Sequence, residues 1–145
     1  MVTENVKGVH LWLVLWKASR AMESYDRKSI QALDLCLSDF GVLEVLLHKG
    51  ALPVNTIGKK ILLTSGSITT SIDRLEKRSL VRRTVCPDDA RKTLVYLTDK
   101  GHRLIVQAFS AHEQRMEKAV SGLTDEEKSS LVSLLKKLGT SVPIP

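Results

Sequence analysis

The chain has few of the residues on which several classes of protein depend. Only two of its 145 residues are cysteines, Cys36 and Cys86, and two cysteines do not make a disulfide framework. No apolar run approaches the length of about 18 residues that a transmembrane helix needs. The longest apolar block, residues 9–16, is not followed by a small-residue cleavage pattern. We therefore expect a cytoplasmic protein of one domain, residues 1–145, with no membrane partner.

The sequence also lacks the motifs of common enzymes and metal sites. It has no glycine-rich phosphate-binding loop, and the pair His112-Glu113 is followed by Met116 where a zinc-protease motif would have a second histidine. The histidines are scattered, with no cysteine at metal-ligand spacing; they are His10, His48, His102 and His112. We expect no enzyme activity, no metal site and no cofactor. Because His112 lies on an apolar stripe, it is interpreted as a core histidine.

A recognition helix is the first clear positive signal. Ile68, Ile72 and Leu75 recur at helical spacing and form one narrow apolar face, and Thr64 or Ser65 can serve as the N-cap. The opposite face carries small hydroxyl residues and arginines: Ser67, Thr70, Ser71, Arg74 and Arg78. A helix that is small and polar in its first half and basic further on suits insertion into a DNA major groove.

Two β-rich segments follow this helix. Residues 80–85 and 93–97 are rich in Val, Leu, Thr and Tyr, which favours strands. The segment between them, residues 86–92, contains Pro87 and two aspartates, which favours a turn. The order helix, strand, turn, strand predicts a helix-turn-helix followed by a wing.

The positive charge of the chain is concentrated in this same stretch. Residues 59–103 hold 11 Lys or Arg against 5 Asp or Glu, which accounts for the whole net charge of +6. The remaining residues are neutral overall, with 11 basic and 11 acidic side chains. Clustered basic residues attract phosphates, although a charge run is more often a solvated face. The coincidence with a groove-binding pattern favours DNA.

The ends of the chain are predicted to be helical. Residues 8–36 form a helix whose block 9–16 is apolar almost all round, so that a second subunit is the expected cover. Trp12 and Trp16 at helical spacing indicate core or interface, with a ligand platform as the alternative. Residues 99–139 form two further helices, the second with a capping box at Thr124 and an end at Gly139.

The lobe between these helices, residues 38–98, begins with a helix that Ser38 is predicted to cap. The fold class is therefore mainly α (α+β). It has about six helices, long N- and C-terminal dimerisation helices, and a winged helix-turn-helix with a two- to three-stranded sheet.

The sequence resembles the MarR family of transcription regulators over roughly residues 9–139. The resemblance rests on three motifs: Leu37-Ser38 with Leu43; the run from Ile57-Gly58 through Ser67-Ile68-Thr69 and Ile72-Asp73-Arg74-Leu75-Glu76-Lys77-Arg78 to Leu80-Val81; and Asp89-Ala90-Arg91 with Val95-Tyr96-Leu97-Thr98 and Gly101. Ser79 departs from the pattern, because the family commonly has glycine there, and this predicts a tighter or more strained turn.

The resemblance implies a homodimer that places two winged lobes in successive major grooves of a near-palindromic double-stranded DNA operator. It implies repression, with release by a small aromatic or phenolic ligand bound near Trp12, Trp16 and Tyr25. The wing residue Arg91 would reach the minor groove, and Asp89 would orient it or pair with Arg74. A plain turn with a solvated arginine is the alternative.

The candidate DNA-binding residues combine both arguments: Ser65, Ser67, Thr69, Thr70, Arg74, Arg78, Arg82, Arg83, Asp89, Arg91 and Lys92. Cys86 is a candidate redox site, since the nearby Arg82, Arg83 and Arg91 would favour its thiolate. A redox-sensing regulator and a non-specific nucleic-acid-binding module of the same fold therefore remain alternatives to a ligand-responsive repressor.

Overall fold

Six helices and a three-stranded antiparallel sheet form the part of the chain that the computed structural model describes, residues 6–61 and 65–145. The side chain of Ser65 also lies outside the described part. In chain order the elements are α1 (Gly8–Gln31), α2 (Leu37–Lys49), β1 (Leu52–Pro53), α3 (Val54–Lys60), α4 (Ser65–Lys77), β2 (Val81–Cys86), β3 (Asp89–Leu97), α5 (Asp99–Ala119) and α6 (Asp125–Ser141). The expected fold class, mainly helical with a winged helix-turn-helix, is confirmed.

The hydrophobic core is centred on the central lobe, and Ile30 of α1 and Ile105 of α5 also belong to it. The predicted apolar face of α4 is fully inward, because Ile68, Ile72 and Leu75 are each at most 1% exposed. It packs with apolar residues of α2, β2 and β3, including Leu43 and Val95, which are completely buried. This packing presents the opposite face of α4 to the outside.

The wing hairpin is longer and its turn shorter than the sequence predicts. Residues 86–92 were expected to form the turn, but β2 runs to Cys86, β3 begins at Asp89, and the turn is only residues 87–88. The expectation fails because a proline and two aspartates suit a tight turn of two residues as well as a longer one. The third strand, β1, pairs Leu52 with Val95 of β3 and places Pro53 at the edge of the sheet, where its missing N–H does no harm.

The start of α2 differs from the prediction. Ser38 was expected to cap this helix, yet the helix begins at Leu37 and Cys36 occupies the N-cap position without a side-chain capping bond. The hydroxyl of Ser38 is instead the acceptor of a hydrogen bond from Ser71 of α4 at 3.1 Å. Ser38 therefore bonds to another helix, and it does not cap α2 as the sequence indicates.

The caps of the last two helices follow local chemistry. Thr124 forms the predicted capping box: it accepts from the backbone N–H of Glu127, while the Glu127 side chain accepts from the backbone N–H of Thr124. Gly139 was expected to end α6, but the helix continues to Ser141. Its C-cap is Val142, whose extended backbone is the conformation that a residue before a proline prefers.

The turn from α4 into the wing is strained at the position where the resemblance expects glycine. Ser79 has a backbone φ of 59°, in the left-handed region that costs a residue with a side chain about 1–2 kcal/mol. Its N–H donates to the carbonyl of Glu76, and its own carbonyl accepts from the hydroxyl of Thr98. These bonds hold the strained turn and confirm the tightness predicted from the sequence.

The two terminal helices leave apolar side chains at the surface of the single chain. Trp12 on α1 is 61% exposed and Leu134 on α6 is 63% exposed, and none of the residues of α6 is buried. Among residues 6–61 and 65–145, no helix combines the length and the apolar content needed to cross a membrane.

Candidate nucleic-acid interface

The outward face of α4 carries three of the predicted hydroxyl residues. Ser67, Thr69 and Thr70 are exposed. Ser71, which the sequence places on the same face, is only 1% exposed, because its hydroxyl points into the lobe and donates to Ser38. Candidate Ser65, like the candidate cap Thr64 before it, falls outside what the structure describes of side chains.

The hydroxyl of Thr70 has a defined direction. Its proton is donated to the backbone carbonyl of Gly66, one turn earlier, at 3.0 Å. The oxygen therefore presents lone pairs outward and would accept from the amino group of cytosine or adenine. The sequence alone gives Thr70 only as a generic hydrogen-bonding group.

A bulge in the wing pushes two basic residues out of the ladder. The register passes from Val85 opposite Thr93 to Cys86 opposite Asp89, so that residues 90–92 of β3 have no counterpart on β2. A bulge of this kind redirects side chains away from the regular pleat. Arg91 and Lys92 lie in it, and the Arg91 side chain is 91% exposed.

Asp89 holds Arg91 in the way that the resemblance implies. The Asp89 carboxylate accepts from Nε of Arg91 at 3.1 Å, from its Nη2 at 3.3 Å and from its backbone N–H at 3.0 Å. The guanidinium bond first, and the backbone bond second, lower the pKa of the Asp89 carboxyl below its ordinary value. The carboxylate thus stays charged and keeps the guanidinium over the bulge.

The recognition helix and the wing meet in one shallow cleft of about 300 Å³. Thr69 of α4 lines it together with Arg91 and Lys92 of the wing. Two further polar residues line it that the sequence analysis did not single out, Asn55 at the start of α3 and Thr93 on β3. The sequence signal for Asn55 is Pro53, the N-cap of α3, which places Asn55 in the first turn of the helix.

One reading of the resemblance expects Arg74 to pair with Asp89, but the structure does not show this pair. Its guanidinium donates to both carboxylate oxygens of Asp39 on α2, from Nη2 at 2.8 Å and from Nε at 3.2 Å. The hydrogen bond with Asp39 raises the pKa of Arg74 above its ordinary value. The prediction fails because Asp39, 35 residues away in the sequence, becomes the nearer carboxylate once α2 and α4 pack together.

Arg78 and Arg83, which are DNA-binding candidates by sequence, are also engaged within the protein. Arg78 donates to the backbone carbonyls of Leu33 and Asp34 at 3.1 and 2.5 Å. Arg83 pairs with Asp73 at 2.5 Å and with Glu76 at 2.8 Å. Partial burial lowers the pKa of Arg83, but these two hydrogen bonds outweigh that effect and the pKa is raised. Both arginines join the end of α4 to neighbouring elements.

Arg82 remains exposed but lies apart from the cleft. It pairs in register with Tyr96 near the base of the hairpin, one step from the first pair of the ladder, Val81 with Leu97. Of the four predicted basic residues of the wing, the structure therefore brings two, Arg91 and Lys92, to the recognition helix.

The structure places the candidate ligand residues at two positions along α1. Trp12 and Trp16 stack on each other, with ring centres 5.9 Å apart and planes 8° apart, on the exposed side of α1. Tyr25 instead lines a separate cleft of about 370 Å³ together with residues of α1 and α5, among them Met22 and Lys118.

Carboxylate partners hold most of the arginines expected near the redox candidate Cys86. Cys86 is half-buried at the end of β2. The guanidinium of Arg83 is held by Asp73 and Glu76, and that of Arg91 is held by Asp89. Two of the three arginines expected to favour a thiolate thus have carboxylate partners.

His112 is a core histidine, as the sequence analysis proposes. It is hydrogen-bonded to Asp26 of α1, a carboxylate that also accepts from Nε of Arg115 at 2.6 Å. Asp26 is 3% exposed, and the three side chains join α1 to α5. Within residues 6–61 and 65–145 no group of three or more His, Cys, Asp or Glu is arranged to hold a metal ion.

Comparisons with known proteins agree with this architecture. The family model described as MarR family matches residues 35–93. The HTH-type transcriptional regulator MhqR of Bacillus subtilis is 38% identical over 133 residues, which cover 92% of this chain and 92% of MhqR.

Solved structures give the same result. One is of BpsR of Bordetella bronchiseptica, from work on the regulation of its DNA binding by 6-hydroxynicotinic acid; it is 27% identical with a TM-score of 0.81, covering 89% of this chain and 98% of that one. A mutant MarR of E. coli complexed with operator DNA has the same fold, with 24% identity, a TM-score of 0.81, and coverage of 92% and 94%. The relatives of the present chain are transcription regulators and not enzymes. This DNA-binding chain belongs to the MarR family of transcription regulators.

Proposed function

We propose that this protein is a homodimeric repressor that binds a near-palindromic operator and is released by a small-molecule ligand. The observation that carries the proposal is the shared surface of α4 and the wing. Exposed hydroxyl residues, Ser67, Thr69 and Thr70, lie on α4. Thr69 lines one cleft together with Arg91 and Lys92 of the bulge. Hydroxyl groups suit contacts with base edges, whereas cations suit phosphates and narrow minor grooves. One lobe therefore offers the chemistry for one half-site.

The apolar surfaces of α1 and α6 support the dimer. Val9, Trp12 and Trp16 on α1 are between 52% and 72% exposed in the single chain. On α6, Leu131, Leu134 and Leu135 are between 40% and 63% exposed. Patches of this kind on a small protein are usually covered by another subunit, and a two-fold symmetric pair is the commonest arrangement. The dimer would then carry two lobes for two half-sites.

The dimer predicts a mass of about 32 kDa in solution, twice the 16.1 kDa of one chain. Light scattering at micromolar concentration measures it. Leu134→Glu should shift the protein towards the monomer or into aggregates, because a buried charge without a partner is costly. Ser133→Glu adds the same charge on the opposite side of α6 and should leave the mass unchanged. A well-folded wild-type monomer would contradict the proposal.

Regulation by a ligand is supported by the clefts beside α1 and by the relative BpsR, whose DNA binding is regulated by 6-hydroxynicotinic acid. The cleft between α1 and α5 has a volume of about 790 Å³. Leu33 and Ala108 provide apolar lining, and Arg103 and Arg115 also line the cleft. Such a cleft suits a small aromatic or phenolic molecule that carries an acidic group. Tyr25 and the stacked tryptophans stay candidates for a second contact region.

Selection of bound sequences from random duplex DNA tests the function as a whole. A near-palindrome should emerge, with half-sites about 10–10.5 base pairs apart centre to centre, because a two-fold dimer must place both helices on one side of the duplex. Aromatic acids and phenols added to that complex should release the protein. If no palindrome emerges, the chain is a non-specific nucleic-acid-binding module of the same fold.

A further inference from the structure

The recognition helix is fastened to α2 by one buried carboxylate. The side chain of Asp39 is 6% exposed, and both of its oxygens accept from the guanidinium of Arg74, at 2.8 and 3.2 Å. The Arg74 side chain is itself 46% exposed, so one edge of the guanidinium is held while the rest faces solvent. A bidentate pair of this type fixes direction as well as distance.

Further polar contacts extend this fastening along the same side of α4. Nη2 of Arg74 also donates to Oγ of Ser71 at 3.1 Å, and Ser71 in turn donates to Oγ of Ser38 at 3.1 Å. Ser71 is 1% exposed, so the contact with Ser38 is sheltered from water. The polar groups therefore connect the first turn of α2 to the middle of α4 at two successive points.

This connection adds a directional contact to the apolar packing of α4. Ile68, Ile72 and Leu75 form the narrow inward stripe, and the hydrophobic effect that buries it is not directional. The ion pair is directional, and it lies one turn from the hydroxyl residues, since Thr70 and Arg74 are four residues apart on one side of the helix. A small rotation of α4 would move Thr70 and Arg74 together towards or away from the DNA.

We propose that Asp39 is a positioning residue for DNA recognition, in two ways. It sets the rotation of α4 so that Ser67, Thr69 and Thr70 face the base edges, and it keeps the Arg74 guanidinium from binding phosphates of any sequence. The inference rests on the proposed sequence-specific function. Removing the Asp39 charge should therefore weaken discrimination while strengthening non-specific binding, which loss of folding cannot do.

Asp39→Asn is the variant that tests this role, because asparagine has nearly the same shape but no charge. Binding is measured by salt titration on the selected operator and on a scrambled duplex. We expect tighter binding to the scrambled duplex, with a salt slope steeper by about 1 for each phosphate that a released Arg74 contacts. The preference for the operator should fall about tenfold, within the range for one lost base contact.

Asp34→Asn is the matched control. Asp34 lines the same cleft as Asp39 and Arg74, so the charge change and its place are alike. Its backbone φ of 57° is one that asparagine adopts readily, so the fold should tolerate the change. We expect Asp34→Asn to change the operator preference and the salt slope by less than about half as much as Asp39→Asn does.

Two further variants separate positioning from folding. Asp39→Glu restores the charge and should recover part of the preference. Arg74→Lys keeps the positive charge but cannot fill both carboxylate oxygens, and it should also lower the preference. If Asp39→Asn lowers the folded fraction of the protein, the binding of Arg74→Lys is measured instead.

The outcomes distinguish this inference from the function on which it rests. Equal losses on both duplexes with an unchanged salt slope would overturn it, as would equal effects of the Asp34 and Asp39 variants. A wild-type protein with no preference for any sequence would instead overturn the proposed function.

Discussion

Gly101→Ala should lower the free energy of unfolding by about 3 kcal/mol or more. A Cβ at position 101 would lie 1.9 Å from the carbonyl oxygen of Leu80 and 2.8 Å from its carbonyl carbon. Both are backbone atoms, so no flexible side chain can move aside. The Leu80 carbonyl is moreover held in place, because it accepts from the backbone N–H of Thr98 at 3.1 Å. The clash can be relieved only by separating the start of α5 from the wing.

Chemical denaturation of the variant and the wild type measures this loss. The matched control is Gly122→Ala, since among the described residues no atom beyond its own chain neighbours lies within 4 Å of a Cβ added at Gly122. That change should alter the free energy of unfolding by about 0.5 kcal/mol or less. A loss at Gly101 no larger than that at Gly122 would show that α5 and the wing do not meet as closely as described.

Features that depend on neighbouring residues could be predicted from the sequence. The inward face of α4 follows from the spacing of Ile68, Ile72 and Leu75, and the capping box at Thr124 follows from a threonine and a glutamate three residues apart. The strain at Ser79 was indicated only by the resemblance, because the family commonly has glycine at this position. In the first two cases the deciding pattern lies within a few residues.

The division of the arginines could not be predicted in this way. Arg74 and Arg78 occur on a polar helix face that resembles a DNA-binding surface, yet their partners are Asp39 and the carbonyls of the α1–α2 turn, 35 to 45 residues away. Ser71 is buried for the same reason, since its partner Ser38 lies on another helix. A sequence pattern shows that a face is polar, but tertiary packing decides whether protein or DNA satisfies it.

The same reasoning explains the wing. The charged residues 86–92 have turn-like composition, and the strands nevertheless continue through them because a turn of two residues and a bulge accommodate the sequence. The bulge is the feature that turns Arg91 and Lys92 towards the cleft beside Thr69. Basic residues in the wing could be predicted from the sequence. Which of them reach the cleft depends on the strand register.

Lys92→Ala should weaken binding to the operator and to a scrambled duplex by the same factor. Lys92 is exposed in the bulge beside the recognition helix, where an ammonium group suits a phosphate. A dimer loses one such contact in each half-site, so the slope of log affinity against log salt should become shallower by about 2. Lys136→Ala removes the same charge from α6, outside the lobe, and should leave the slope unchanged.

Thr70→Ala should have the opposite profile. The Thr70 oxygen is exposed as an acceptor, because its proton is used by the Gly66 carbonyl. Its loss should leave the salt slope unchanged and reduce discrimination against a mutated half-site by about 1–3 kcal/mol at the contacted base pair.

Arg91→Ala should cost most affinity on operators with A·T-rich flanks, since a narrow minor groove favours an arginine. The measurement is a salt titration of these variants on operator and scrambled duplexes. If Thr70→Ala and Arg91→Ala reduced binding equally on both, no base sequence would be recognised, and the protein would bind DNA through its charge alone.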